Sequence, residues 1–300
     1  MPAIPPKGSV RFPLRFTACR MSASDIAPTG RVPPPAEPRA DRVGPRRSHA
    51  TMRTILALIL REMSTRYGRS PGGYAWALLE PIGGIIVMGF GLSLLLRVPP
   101  LGTSFLLFFA TGLLPFNLYQ NVSLMVSRAL NFSKPLLAYP TVTWLDALLA
   151  RFILNALTGI IVTVVVLALV VTVSDTRTLI DLPLAVGSVG LILLVGLGVG
   201  VLNCALIGLI QVWEMVWSII TRPLFFASGI FFLFDDLPAT AQNILWYNPL
   251  IHVLGMMREA FYPTYSPNYV SAVYVIGVSI AMIALGVLLL YRYHLEILSK

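Results

Sequence analysis

Six stretches of about twenty residues, each nearly free of charge, dominate the chain after residue 73. They fall at residues 74–96, 105–126, 145–173, 184–210, 216–234 and 270–291. A helix rises about 1.5 Å per residue, so about 20 apolar residues match a hydrocarbon core of about 30 Å. Only 12% of the residues are charged, against about 25% in soluble domains. That charge cannot cover a globule of 300 residues in water, so lipid must solvate much of the surface. The expected fold is an all-α membrane protein with six transmembrane helices, since a helix satisfies its own backbone in lipid.

The intervening segments set the orientation. Arg61, Arg66, Arg69, Arg128, Lys134, Arg292 and Lys300 fall on one side if there are six spans. The opposite loops carry fewer cations, chiefly Arg97, Arg177 and Arg258. By the positive-inside rule both termini face the cytoplasm of a multi-pass protein. Arg151 and Arg222 sit near span edges, where snorkelling accommodates either side. Residues 127–143 contain Pro135 and Pro140 and read as an inside loop; residues 174–183 read as a polar turn.

Two regions flank this pattern differently. Residues 1–51 are rich in Pro and Arg, with no apolar stretch of about 7–15 residues, so they are not a secretory signal. Their composition predicts a disordered leader; an over-extended start, with Met52 as the true beginning, is the competing reading. Residues 52–300 then form the transmembrane domain. Over residues 54–67, Ile55, Leu58, Ile59 and Met63 recur at helical spacing among polar residues, which suits an amphipathic helix in the cytoplasmic headgroup region.

Residues 235–269 are the least ordinary stretch. Apolar pieces flank Asn248-Pro249, and each is too short to span. Such pieces read as short re-entrant or interfacial helices before the last span. Asn248, Arg258 and Glu259 are their polar candidates, and Glu80, just before Pro81 in the first span, is an intramembrane carboxylate.

Several chemistries lack their signatures. The chain contains no G-x-x-x-x-G-K-[ST] phosphate loop, so ATP is not bound here in the usual manner. His49, His252 and His294 are scattered, as are Cys19 and Cys204, with no metal-ligand spacing. The pair Asp235-Asp236 has no third ligand nearby and reads as a solvated turn. The charge of +9 suits anionic lipid rather than nucleic acid, because no basic soluble face is visible. The glycines Gly196, Gly198, Gly200 and Gly208 suit close helix packing. Aromatic residues are abundant; most suit membrane interfaces, but rings also stack on sugars and permit a polymer to slide.

Four motifs carry a resemblance. They are Leu60-Arg-Glu-Met-Ser-Thr-Arg-Tyr-Gly-Arg-Ser with Gly73-Tyr-Ala-Trp-Ala-Leu-Leu-Glu-Pro, Gly112-Leu-Leu-Pro-Phe, Asn131-Phe-Ser-Lys-Pro-Leu, and Tyr247-Asn-Pro-Leu followed by Arg258-Glu-Ala-Phe. Over residues 52–300 the chain resembles the ABC-2 type permeases, in particular those that export capsular polysaccharide. The resemblance implies a homodimer of permeases above two copies of a separate ATP-binding subunit, which would hold ATP and Mg; this chain would hold no cofactor. Arg61, Glu62, Arg66, Tyr67, Asn131 and Lys134 would couple to that subunit. The substrate would be a lipid-linked polysaccharide crossing the inner membrane, with periplasmic and outer-membrane export proteins beyond. Phe116, Tyr119, Trp246 and Tyr247 are the candidate lining of the path. An O-antigen or teichoic-acid exporter is the rival within the same fold; an intramembrane transferase is the rival of another class.

Overall fold

The computed structural model describes residues 50–67, 73–95, 98–137, 142–174 and 179–299. They belong to one compact unit, Ser48–Lys300. The leader reading, except for its last two residues, the breaker at 68–72, Arg97, Pro140, Arg177 and Lys300 lie outside the described residues.

The described residues form helices joined by short connections. In chain order they are α1 (Ala50–Tyr67), α2 (Gly73–Leu95), α3 (Phe105–Ser127), α4 (Ala129–Leu137) and α5 (Trp144–Val173). Then come α6 (Leu182–Leu209), α7 (Trp213–Ala227), a 3-10 turn at Phe234–Asp236, α8 (Ala239–Leu245), α9 (Pro249–Phe261) and α10 (Ala272–Ser299). Their starts are written locally. Thr143 and Asp146 form a reciprocal capping box at α5, in which each side chain accepts from the other residue's backbone N–H. Asp181 caps α6, and Asn248 caps α9 with Pro249 at its first position.

Among the described residues, four segments are long and apolar enough to cross a membrane: Phe105–Leu137, Trp144–Val173, Leu182–Leu209 and Ala272–Leu298. The other two expected spans are shorter. The apolar part of α2 is Ala75–Gly91. Helix α7 has 15 residues, a rise of about 22 Å. It ends at Ala227, and Gly229 then adopts a φ of 78°, a left-handed turn that only glycine takes without strain. The expected loop at 127–143 is mostly helix instead. The chain breaks at Arg128 (φ −96°, ψ 11°) and resumes as α4, burying Ala129, Leu130 and Ser133. Pro135 has no N–H to donate to the Asn131 carbonyl, and α4 ends two residues later.

Helix α6 lies at the centre, packed along α10, α3 and α9. Glycines allow the close approach. A Cβ on Gly198 would lie 2.9 Å from the Ser279 carbonyl oxygen, and one on Gly200 would lie 2.8 Å from Val126 Cβ. The Phe105–Leu137 segment, α3 with α4, is the least hydropathic of the four and the most enclosed, while α5 and α10 are strongly apolar and largely uncovered. That division follows solvation: polar side chains are tolerated at membrane depth where protein or water surrounds them.

Candidate functional site

Two clefts flank one exposed ridge of α3. The first, of about 540 Å³, lies between α3 and α7. Phe225 and Phe226 of α7 supply its aromatic wall, backed by the buried rings of Phe116 and Tyr119 of α3, with Ser218, Thr221 and Arg222 beside them. The rings hold one another: Phe116 meets Phe225 edge-on at 5.1 Å, and Phe226 stacks on Phe231 at 5.5 Å. At one end Arg128 clamps Glu214, its Nε and Nη2 donating to Oε1 at 2.9 and 2.6 Å. That pair is half exposed, so it is a weak strut rather than a source of stability.

The second cleft, of about 550 Å³, lies among α2, α3 and α5. Glu80 and Trp76 line it from α2, Asn117 and Asn121 from α3, and Thr158 and Thr163 from α5. Gln120 and Leu124 line both clefts. Asn117, Gln120, Asn121 and Arg128 therefore form a polar stripe at helical spacing on the open side of α3. Among the described residues, the side chains of Asn117, Gln120 and Asn121 have no hydrogen-bond partner, and Glu80 has no ion pair. At membrane depth such groups call for water, a polar ligand or a second protein surface.

The other expected site residues separate into distinct places. Trp246 and Tyr247 line neither cleft. Trp246 lies tilted against the Tyr274 ring at 4.9 Å and meets the His252 ring edge-on at 5.2 Å, while Tyr247 is exposed. Asn248 works as a brace: its Oδ1 accepts from Leu250 N–H, and its Nδ2 donates to the Ala227 carbonyl across the gap to α7. Glu259 is partly buried, and burial together with the nearby Asp181 charge raises its carboxyl above the usual range. Asp235 accepts a hydrogen bond from Tyr265.

Arg258 is wholly enclosed. Its Nη1 and Nη2 donate to the Phe232 and Ile230 carbonyls, each at 2.9 Å, and its guanidinium lies 4.2 Å over the Phe108 ring. Burial lowers its pKa to about 10, so it stays charged at neutral pH. It thus ties the irregular segment after α7 to α9 and α3.

On α1 and α4, Arg61, Asn131 and Lys134 are exposed. The side chains of Arg66 and Tyr67 lie outside the described residues. Glu62 is buried and paired with Arg151, Oε2 to Nε 3.3 Å. Snorkelling of Arg151 is thereby replaced by an internal ion pair. A carboxylate seven residues after Ile55, on the face of α1 that packs inward, was the available signal. The cleft residues of α7 carried no such signal, because their spacing is also that of a lipid-facing span.

His252 is buried with both ring nitrogens engaged. One faces the Trp246 carbonyl at 2.8 Å, and Nδ1 accepts from Ser271 N–H at 3.3 Å. That assigns the neutral tautomer with its proton on Nε2, and burial lowers the pKa below the ordinary value of about 6.5. A depressed folded-state pKa means that unfolded chain binds the proton first. The contribution is full above about pH 6.5 and is lost as pH falls through the folded pKa. The thermal midpoint should therefore drop between pH 7.5 and 5, and His252→Gln should flatten that dependence. Identical pH profiles for the two proteins would refute this assignment.

The ABC-2 type transporter family matches residues 53–262, which contain both clefts and the Arg258 tie. The chain belongs to that family. It is similar to the polysialic acid transport protein KpsM of Escherichia coli, 29% identical over 243 residues, covering 81% of this chain and 94% of that protein. It is also similar to the capsule polysaccharide export inner-membrane protein BexB of Haemophilus influenzae, 26% identical over 80% of this chain and 91% of that one. The inner-membrane protein of the same description, CtrC of Neisseria meningitidis serogroup B, is 25% identical over the same shares.

Proposed function

We propose that this chain is the membrane-spanning subunit of an ABC exporter that carries lipid-linked capsular polysaccharide across the bacterial inner membrane. A separate ATP-binding subunit supplies the energy. The names of the relatives support capsule export over the O-antigen and teichoic-acid readings. Two chains pair so that the polar stripes of α3 and the flanking clefts face an enclosed path. In this reading α2 and α7 complete six crossings, both termini are cytoplasmic, and α8 and α9 re-enter from the periplasmic side. Exposed Arg61, Asn131 and Lys134 contact the ATP-binding subunit, which holds ATP and Mg.

The observation that carries this reading is the pairing of an aromatic wall with unpartnered polar side chains along one helix. Rings cover the apolar faces of sugars, and carboxamides and hydroxyls meet their hydroxyl groups. Each contact is weak and repeated, so a polymer is held without stalling. Arg222, exposed in the cleft and without an ion pair among the described residues, suits acidic sugars.

Blocking the cleft tests it. Ser218 is exposed on its wall, so Ser218→Trp should fill the space without disturbing the core. Polysaccharide at the cell surface, per molecule of inserted protein, should fall at least about tenfold, equal to about 1.4 kcal/mol on the transport barrier. Export at the unsubstituted rate would place the path elsewhere.

A further inference from the structure

Four helices converge on one guanidinium. Arg151, eight residues into α5, is 6% exposed. Its Nε lies 3.3 Å from Glu62 Oε2 on α1, and Glu62 is itself 5% exposed. Its Nη1 donates to the Met125 carbonyl at 3.0 Å, in the last turn of α3. Its Cζ lies 4.1 Å from the centre of the Phe132 ring on α4, and the guanidinium of Arg61 on α1 lies over the same ring at 5.7 Å. One turn further along α5, Asn155 donates to the Arg151 carbonyl at 2.7 Å.

A buried ion pair is weak evidence for stability, because desolvation offsets most of the attraction. Specific registry is the role in which such pairs are best attested. The arrangement here fits that role. Helix α1 packs chiefly on α5, and Leu56 and Leu60 on its outer side are exposed. An apolar contact alone would let α1 slide or roll on α5. The Glu62–Arg151 pair and the shared Phe132 ring each fix a register, one between α1 and α5 and the other between α4 and both.

We propose that Arg151 is a positioning residue that joins α1 and α4 to α5 and the end of α3 as one lever, which passes movement of the cytoplasmic helices to the cleft. Movement at α1 or α4 then cannot be absorbed locally; it reaches Met125, one residue beyond the cleft residue Leu124. This rests on the docking of an ATP-binding subunit at α1 and α4. Glu62 contributes to coupling through Arg151, since its carboxylate is covered.

Spin-label distances in the full chain test both parts. Cys19 and Cys204 are replaced by Ala. One label pair sits on exposed Leu60 of α1 and exposed Pro135 of α4, measured without any ATP-binding subunit. The second pair sits on Leu124 of α3 and on exposed Ile220 of α7, outside the cleft lining, measured in the complex with and without ATP. Arg151→Met should widen the Leu60–Pro135 distribution at least twofold. It should leave subunit binding and basal ATP hydrolysis intact, yet remove most of the ATP-driven change across the cleft. Arg151→Lys, which keeps the charge but not the planar fork, should fall between. An unchanged Leu60–Pro135 width in Arg151→Met overturns the lever. A widened distribution with a fully retained ATP-driven change overturns transmission through it and leaves a purely structural pair. Failure of the unsubstituted chain to bind the ATP-binding subunit, or to respond to ATP, would instead count against the docking reading, and the Leu60–Pro135 pair would still decide whether the lever exists.

Discussion

Arg258→Met should remove most of the folded protein from the membrane. Methionine retains much of the volume of the side chain but none of its donors. The Ile230 and Phe232 carbonyls, each held at 2.9 Å by the guanidinium, would be left unpaired. An unsatisfied buried polar group costs about 1–3 kcal/mol, so two cost about 2–6 kcal/mol, before the lost stacking on Phe108 is counted. That is a large fraction of a typical total stability of about 5–15 kcal/mol. The segment between α7 and α9 would lose its fixed path, because little else in it is regular beyond the turn at Phe234–Asp236 and short α8. Arg258→Lys should rescue only in part, since an ammonium cannot reproduce the fork that reaches two carbonyls while stacking on a ring. Membrane yield and thermal midpoint in detergent are the measurements. A midpoint unchanged by Arg258→Met would show that the tie is dispensable.

Gly286→Ala should separate α10 from α6, and Gly277→Ala on the same helix should not. A Cβ on Gly286 would lie 2.7 Å from Leu202 N and 2.9 Å from Leu202 Cα and the Val201 carbonyl carbon. All three are backbone atoms, so no side chain can swing aside and the helices must part. Overpacking of this kind costs about 1–3 kcal/mol. Because α6 also packs on α3 and α9, the displacement would reach the cleft through α3 and the Arg258 tie through α9. A Cβ on Gly277 would meet nothing within 4 Å. There the better helix propensity of alanine should stabilise by about 0.5–1 kcal/mol. Equal thermal shifts for the two variants would refute the packing account.

The glycines of α6 were legible as packing residues from their spacing, but which neighbour each one admits was not. Gly198 faces α10 and Gly200 faces α3, a difference of two residues that rotates about 200° around the helix. The Asn248-Pro249 break was likewise legible, since an Asx cap followed by proline is a local instruction. The fate of residues 128–137 was not. Proline and charge there signalled a loop, and burial of Ala129, Leu130 and Ser133 made a helix instead.

The candidate site divides in the same way. Phe116 and Tyr119 are buried behind one cleft, and their partners Phe225, Phe226 and Arg222 come from a helix about a hundred residues later. Nothing in α7 alone separates a cleft-facing ring from a lipid-facing one. Trp246 and Tyr247 have the same chemistry and lie elsewhere, in a cluster with His252 and Tyr274.

What the sequence determined by itself follows from solvation and local backbone chemistry. Long uncharged runs must become helices that lipid can solvate, and caps, prolines and glycines mark where those helices start and stop. The tertiary structure decided which polar groups share an environment. Arg151 reads at a span edge as a snorkelling cation, and becomes an internal junction only when Glu62 arrives from α1, 89 residues earlier in the chain. Hydropathy sums over neighbours in sequence, whereas burial and pairing depend on neighbours in space, and those exist only after α1, α3, α4 and α5 have packed.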